Sequence, residues 1–387
     1  MSFRFTTAGE SHGPGLVAIV EGLPAGLVLD RSALDRDMAR RQLGHGRGGR
    51  MKIERDAVEI RSGVRHGRTL GSPVAILVEN RDYPNWEERM NPWPVGAEVE
   101  EVHTPRPGHA DLAGLLKFGH TDVRNVLERA SARETAARVA AGGVAKAFLA
   151  ALGVSVHSHV LQIGSVRATE RDELGADDFA DVDDSPVRCL DPDAGALMVE
   201  EIDRLRKENE TLGGTFEVRA FGLVPGLGSH VSWEDRLDAR LAQAMVSIQA
   251  IKGVSLGEAW EIAGRPGSEA HDEIFWSEQH GWSRETNRAG GLEGGMSNGE
   301  PLVVRAAMKP LSTLTQPLRS VDTETKAPAE ALRERTDSTT VPAAAVVGEA
   351  MVALTLARSY REKLGGDHID DALAALAAYK ERIGWRR

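Results

Sequence analysis

The chain has 387 residues, 41% hydrophobic and 27% charged, a length and balance that allow a large buried core and one to three domains. Its formal net charge of −11, sparse aromatics at 5% and lack of a broad basic stretch argue against a nucleic-acid-binding module. One cysteine, Cys189, excludes an intrachain disulfide and a thiolate metal cluster. The opening MSFRFTTAGESHG lacks the apolar core of a signal peptide. The longest apolar run, 343–357, is broken by Gly348 and Glu349 and is too short to span a bilayer, so a soluble cytoplasmic protein is expected.

In chain order, residues 2–7 alternate as a strand, a glycine-rich corner follows, and 16–20 forms a second strand. Asp30 or Ser32 caps a helix that runs to Leu43. Residues 57–64 and 74–79 read as strands. A long loop with Pro84, Pro92, Pro94, Pro105 and Pro107 then carries Trp86 and Trp93, and loops of this length tend to carry function. The clearest helix is expected over 126–152, followed by a strand over 155–163, a helix over 193–208 and a strand over 213–223. A second strong helix is expected over 235–251, with Leu237, Leu241, Met245, Ile248 and Ile251 at helical spacing. A glycine-rich segment, 290–299, precedes a strand over 302–308. One helix begins near Pro342 and a polar one closes the chain from about Ile369. The irregular alternation, with no repeat and no low-complexity linker, favours a single α/β (α+β) domain over 1–387. An acidic stretch near 165–190, with eight acids and one base between 170 and 184, reads as a solvated surface excursion. It lacks the sharp-turn glycine of a calcium loop.

Much of the negative charge is therefore local, which leaves room for an anion site. The run Arg40-Arg41-Gln42-Leu43-Gly44-His45-Gly46-Arg47-Gly48-Gly49-Arg50 holds four arginines, four glycines and no acid. Glycine lets backbone N–H groups turn toward a ligand, and the guanidinium fork fits phosphate and carboxylate oxygens in pairs. Gly44-x-Gly46-x-x-Gly49 matches a dinucleotide fingerprint literally, but it follows a helix rather than a strand, which excludes a Rossmann site. Gly9-Glu10-Ser11-His12-Gly13 matches the hydrolase elbow, yet Gly13-Pro14-Gly15 is a poor helix start; a serine hydrolase using Ser11 is the alternative function. Most of the twelve histidines read as surface or hydrogen-bonded, and no set of metal ligands is assigned. His12 and His109 differ, because each sits in a glycine or proline turn where a proton donor fits. Arg129 and Arg133, four apart, fall on one face of the expected helix, as a functional pair or as a salt-bridged surface with Glu128 and Glu134. Arg335-Thr336-Asp337-Ser338 precedes a helix, either as its N-cap or as an anion and proton site at its start.

Seven segments in order resemble the chorismate synthase family over nearly the whole chain. They are Thr7 to Gly13, Gly44 to Met51, Arg106-Pro107-Gly108-His109-Ala110-Asp111, Glu128 to Thr135, Gln249 to Gly253, Asn287 to Gly295 and Arg335-Thr336-Asp337. The resemblance implies one domain with helices sandwiched between antiparallel sheets. The implied activity is the anti 1,4-elimination of phosphate from 5-enolpyruvylshikimate 3-phosphate to give chorismate, with reduced FMN and no net redox change. By the same resemblance the substrate is held by Arg41, Arg47, Arg106, Arg133, Arg335 and Ser11, with Arg50 as a weaker candidate. His12, His109 and Asp337 carry proton roles. Flavin contacts fall on Arg129, Ala130, Ser131, Gln249, Ala250, Gly295, Lys309, Pro310, Leu311, Ser312, Thr313 and Arg335. Thr336 stands where the family often has serine. No added oxidoreductase-like segment is visible. The resemblance therefore implies the monofunctional bacterial type, a homotetramer receiving reduced flavin from an external reductant, with NADPH only an indirect source.

Overall fold

The structure is a computed structural model and describes residues 3–48, 56–96, 98–171, 173–279, 281–334 and 337–386. The chain opens with strands β1 (Arg4–Ala8) and β2 (Gly15–Glu21), helix α1 (Arg31–Gln42), and short strands β3 (Glu59–Ile60), β4 (Val64–Arg65) and β5 (Arg68–Thr69). Strand β6 (Val74–Glu79) leads into the proline-rich loop and helices α2 (Asp111–Phe118), α3 (Arg124–Ala130) and α4 (Thr135–Ala151). Next come β7 (Ser155–Ile163), β8 (Val166–Arg167), α5 (Pro192–Lys207), β9 (Gly214–Phe221), α6 (Leu237–Val246) and β10 (Ile251–Leu256). An excursion of α7 (Ala259–Ile262), α8 (Gly267–Ala270), β11 (Phe275–Ser277), β12 (Gly281–Ser283), β13 (Leu292–Glu293) and β14 (Met296–Ser297) precedes β15 (Leu302–Met308). The chain ends with β16 (Arg319–Val321), β17 (Pro328–Glu330), α9 (Val341–Leu364) and α10 (Ile369–Arg382).

Two antiparallel sheets, ordered β1-β2-β6-β3 and β10-β15-β9-β7-β8, enclose a helical layer. Alternate residues of β2 (Leu16, Ala18, Val20) and β6 (Val74, Ile76, Val78) are buried against α4, while Phe216 and Val218 of β9 face α9. This period of two is what a sheet covered on one side requires. Helices α4 and α9 pack on each other and so join the sheets through one contiguous core. Small residues set their separation. A Cβ at Gly142 would lie 2.3 Å from that of Ala350, and one at Gly348 would lie 2.7 Å from the Phe216 ring. Helix α9 has the length and composition of a membrane span, longer than the apolar run alone suggests, but 89% of its apolar window is buried inside the fold. It is the central core helix, buried over most of its surface.

Several expectations shift at boundaries. The helix expected over 126–152 is broken: Ser131 is extended (ψ 142°), its hydroxyl accepts from the Arg133 N–H, and α3 and α4 lie on either side. Arg129 and Arg133 therefore do not share a helix face. The helix expected over 235–251 stops at Val246, and Ile251 opens β10 instead. The strand expected over 57–64 shrinks to two residues, because Gly63 turns at φ +80°. The acidic stretch is anchored as well as solvated: most of its described acids are exposed, while Leu174, Phe179 and Val182 are buried with Leu190 and Phe221, and Asp183 pairs with Arg40 and Arg188.

One charge lies at the centre of the helical layer. Glu349 on α9 is fully buried and accepts from both terminal nitrogens of Arg40 (2.8 Å each), from Lys146, from Ser158 Oγ (2.6 Å) and from Arg188 (3.2 Å). Burial alone would raise its carboxyl, yet Lys146, Arg40 and Arg188 hold it well below the ordinary carboxylate range. Replacing Glu349 by leucine leaves buried Arg188 and half-buried Arg40 and Lys146 with only Asp37 and Asp183 against them among the described residues. We expect a loss of about 3–5 kcal/mol in urea unfolding, or failure to accumulate as soluble protein. An unchanged unfolding midpoint would contradict this account.

Candidate active site

A cavity of about 440 Å³, within the usual range for small-molecule sites, opens where α4 and α9 begin and α1 ends. Thr135 starts α4, and Thr340 and Ala343 flank the first turn of α9, so two helix N-termini bring partial positive charge to the cavity wall. Its other walls come from the 11–12 corner, the loop after α1, the 106–110 turn, the break at Ser131, the turn after α6 and the 308–313 segment.

The arginine–glycine loop divides its labour. Arg40 turns inward to Glu349 and is structural, whereas Arg41 and Arg47 line the cavity. The loop is fastened from three sides: the His45 N–H donates to Pro186 O (2.7 Å), the His45 ring meets Asp203 (2.8 Å), and Gly46 O accepts from Ser338 N (2.8 Å). Arg41 donates to Thr135 Oγ1 (3.0 Å) and Asp56 (3.1 Å), and the same Asp56 pairs with Arg133, which also holds Asn80 (3.0 Å). Burial, aided by Arg133 and Arg47 and opposed by Asp56, brings Arg41 down to about 10. Arg47 pairs with Asp337 (3.0 Å), whose carboxylate also accepts the Gly48 N–H (2.5 Å). Asp337 therefore does not cap α9, whose N-cap is Thr340. Among the described residues, three guanidiniums stand against Asp56 and Asp337, a balance that favours an anion.

Each histidine is held by a carboxylate that it shares with an arginine. The His109 Nδ1 meets Asp111 Oδ1, and Arg106 donates to Asp111 through Nε (2.9 Å) and through its backbone N–H (3.0 Å). Arg106 also reaches Thr313 (3.0 Å) and Glu334 (3.2 Å). Burial pushes Asp111 up, but the His109 and Arg106 hydrogen bonds bring it down to about 2. The His12 Nδ1 lies 2.9 Å from Glu128, which also accepts the His12 backbone N–H (2.9 Å) and Arg124 (2.8 Å). Burial raises Glu128, and the bonds from His12 outweigh it, so its carboxyl lies below the ordinary range. Such pairing orients the ring and fixes a proton on Nδ1.

The cavity gathers Ser11, Ala130, Ser131, Gln249, Ala250, Lys309, Leu311, Ser312 and Thr313, together with the arginines and histidines above and Asp337. Ala250 sits at φ +67°, a left-handed conformation that side chains seldom adopt and that tends to mark functional sites. Burial and the neighbouring Lys252 lower the Lys309 amine. Arg129, Gly295 and Pro310 do not line the cavity. Arg129 clamps Thr7 O (2.9 Å) and Gly9 O (3.1 Å), Gly295 turns between β13 and β14 beside Arg236, and Pro310 is exposed. Arg50, Arg335 and Thr336 lie outside the described residues. Sequence reasoning missed Asp56 and Glu334 as partners of these cations and set Glu128 against Arg129 and Arg133, whereas it holds His12 and Arg124; Asp111, two residues after His109, had a local signal. Ser11 is buried, accepts from Ser131 Oγ (3.2 Å), and leads into β2 rather than a helix, so the hydrolase elbow is absent. Among the described residues no group of three or more potential metal ligands converges.

The class that fold and cavity describe is an α/β enzyme whose site combines a cationic bed with two oriented imidazoles. The model of the chorismate synthase family matches residues 3–360, and the chain belongs to that family, a family of lyases. It is 57% identical to a chorismate synthase of Symbiobacterium thermophilum over 99% of this chain and 100% of that protein. It is 59% identical to one of Rubrobacter xylanophilus over 99% and 98%. A crystal structure of a chorismate synthase matches with TM-score 0.80 and 40% identity over 99% of this chain and 98% of the other.

The Asp111 shift has a pH consequence. Its folded pKa of about 2 lies below the ordinary 3.8, so its stabilisation is present above about pH 4 and is lost as pH falls through about 2. In acid-unfolding curves Asp111→Asn should be less stable than the parent at pH 7, with the difference vanishing toward pH 2. A difference that persists at pH 2 would rule out this assignment.

Proposed function

We propose that the protein converts 5-enolpyruvylshikimate 3-phosphate to chorismate and phosphate by anti 1,4-elimination, with reduced FMN as cofactor. The observation that carries this reading is the convergence of Arg41, Arg47, Arg106 and Arg133 with His12 and His109 on one cavity, in a chain of the chorismate synthase family. A substrate with two carboxylates and a phosphate needs a preorganised cationic bed, and electrostatic help of this kind often dominates a barrier. Arg41, Arg47 and Arg133 bind its anionic groups, with Ser11 beside them and Arg335 assigned by the resemblance. Arg106 both faces the cavity and braces Asp111. His109, oriented by Asp111, holds a proton against the departing phosphate.

The cavity suits a flavin. Gln249 Oε1 is buried with no hydrogen-bond partner among the described residues, which suits a polar ring edge. Lys309 lies beside Gly108, where a cation can meet a phosphate. When bound, the reduced flavin supplies an electron-rich ring against the breaking carbon–oxygen bond. Ala130, Ser131, Ala250, Leu311, Ser312 and Thr313 shape its seat, His12 holds a proton beside it, and Asp337 relays one. An external flavin reductant, a homotetramer and a cytoplasmic location belong to the same proposal.

Anaerobic incubation with reduced FMN and the phosphorylated enolpyruvyl substrate should release phosphate and chorismate in equal amounts, and absence of both refutes the reading. His109→Ala should lower turnover by about 10²–10⁴-fold while flavin titration is unchanged. A rate equal to the parent's would remove His109 from the chemistry.

A further inference from the structure

The proline-rich loop after β6 carries a residue whose contact with the site no functional assignment above uses. Asn80, where the chain leaves β6, donates through Nδ2 to Glu10 O (3.1 Å) and Gly13 O (2.7 Å), tying the loop to the corner that bears Ser11 and His12. Tyr83 N then donates to Asn80 O (3.1 Å), Trp86 N to Tyr83 O (2.7 Å), and Trp86 Nε1 to Asp82 Oδ2 (3.1 Å). This chain of bonds lays the indole on His12, with ring centroids 3.9 Å apart and planes inclined by 27°.

We propose that Trp86 is a positioning residue for His12: its indole covers the imidazole face while Glu128 holds the ring edge, and together they fix the orientation of the ring. The proposal rests on the reading of His12 as the group that holds a proton in the cavity. Glu128 restrains the Nδ1 edge, and the stacked indole restrains the face. Arg124 joins the two restraints, because its guanidinium lies 5.1 Å from the indole centroid and also donates to Glu128 (2.8 Å).

Among the described residues, the charged groups in contact with this pair include Glu128 at Nδ1, Arg124 and Arg89 over the indole (5.1 and 5.7 Å), and Asp82 at the indole N–H. Removing the indole therefore leaves Nδ1 paired with Glu128 and uncovers the imidazole face.

The test pairs steady-state turnover with fluorescence of the ligand-free full-length protein. Trp86→Leu should lose about tenfold in kcat with little change in KM, and Trp86→Phe should restore most of it. A stacked imidazolium quenches indole emission, so the parent-minus-Trp86→Phe fluorescence should fall on acidification, and His12→Asn should abolish that fall. This signature stands even if Trp86→Leu does not fold. An unchanged kcat in Trp86→Leu, or a flat difference fluorescence, overturns the proposal. Because the fluorescence readout uses ligand-free protein, a failure to form chorismate would bear on the proposed function and leave this result separate.

Discussion

Everything in the helical layer is arranged around a carboxylate that has no route to water. Glu349 lies in the third turn of the central helix, and its four partners come from α1, α4, β7 and the 183–188 segment. An isolated buried charge is costly enough that the surrounding chain must supply compensating cations at hydrogen-bond distance. That requirement fixes how α1, α4 and α9 stand relative to one another, along with the close crossing at Gly142 and Ala350. Arg40 belongs to this network while Arg41, its neighbour, belongs to the cavity. The arginine loop therefore inherits its position from the core.

A second theme is that the cavity's cations are held before any ligand arrives. Asp56 spans Arg41 and Arg133, Asp111 spans Arg106 and His109, and Glu128 spans Arg124 and His12. A shared carboxylate restricts two side chains at once, so little rotamer entropy remains to be lost on binding. The helix starts at Thr135 and near Pro342 add a field that does not depend on side-chain protonation.

Much of the fold was legible because its signals are local. Strand 74–79 alternates cleanly, Asp30 caps α1, and Pro342 stands in the first turn of α9. The breaks were not legible. Ser131 interrupts a run of good helix formers, and only tertiary demand on Arg133 and Thr135 explains why the chain leaves the helix there. Likewise Ile248 and Ile251 sit at helical spacing, yet the chain turns through a left-handed Ala250 to put Gln249 on the cavity. The site's cations were visible as motifs. Their partners Asp56 and Glu128 were not, since an aspartate fifteen residues from Arg41, or a glutamate more than a hundred from His12, carries no pairwise signal in a single sequence. In the acidic stretch, charge density hid Leu174, Phe179 and Val182, which fasten it to the sheet.

The place of Glu349 near the end of the chain sets an order of events during synthesis. Arg40, Lys146 and Arg188 are all made long before their common counter-ion, so until α9 emerges three cations have only Asp37 and Asp183 to share among the described residues. The same late helix supplies one wall of the cavity through Ala343, Ala344 and Val347. A ribosome-bound fragment ending before α9 would lack the central core helix and one wall of the pocket, and the same stretch of chain would complete both.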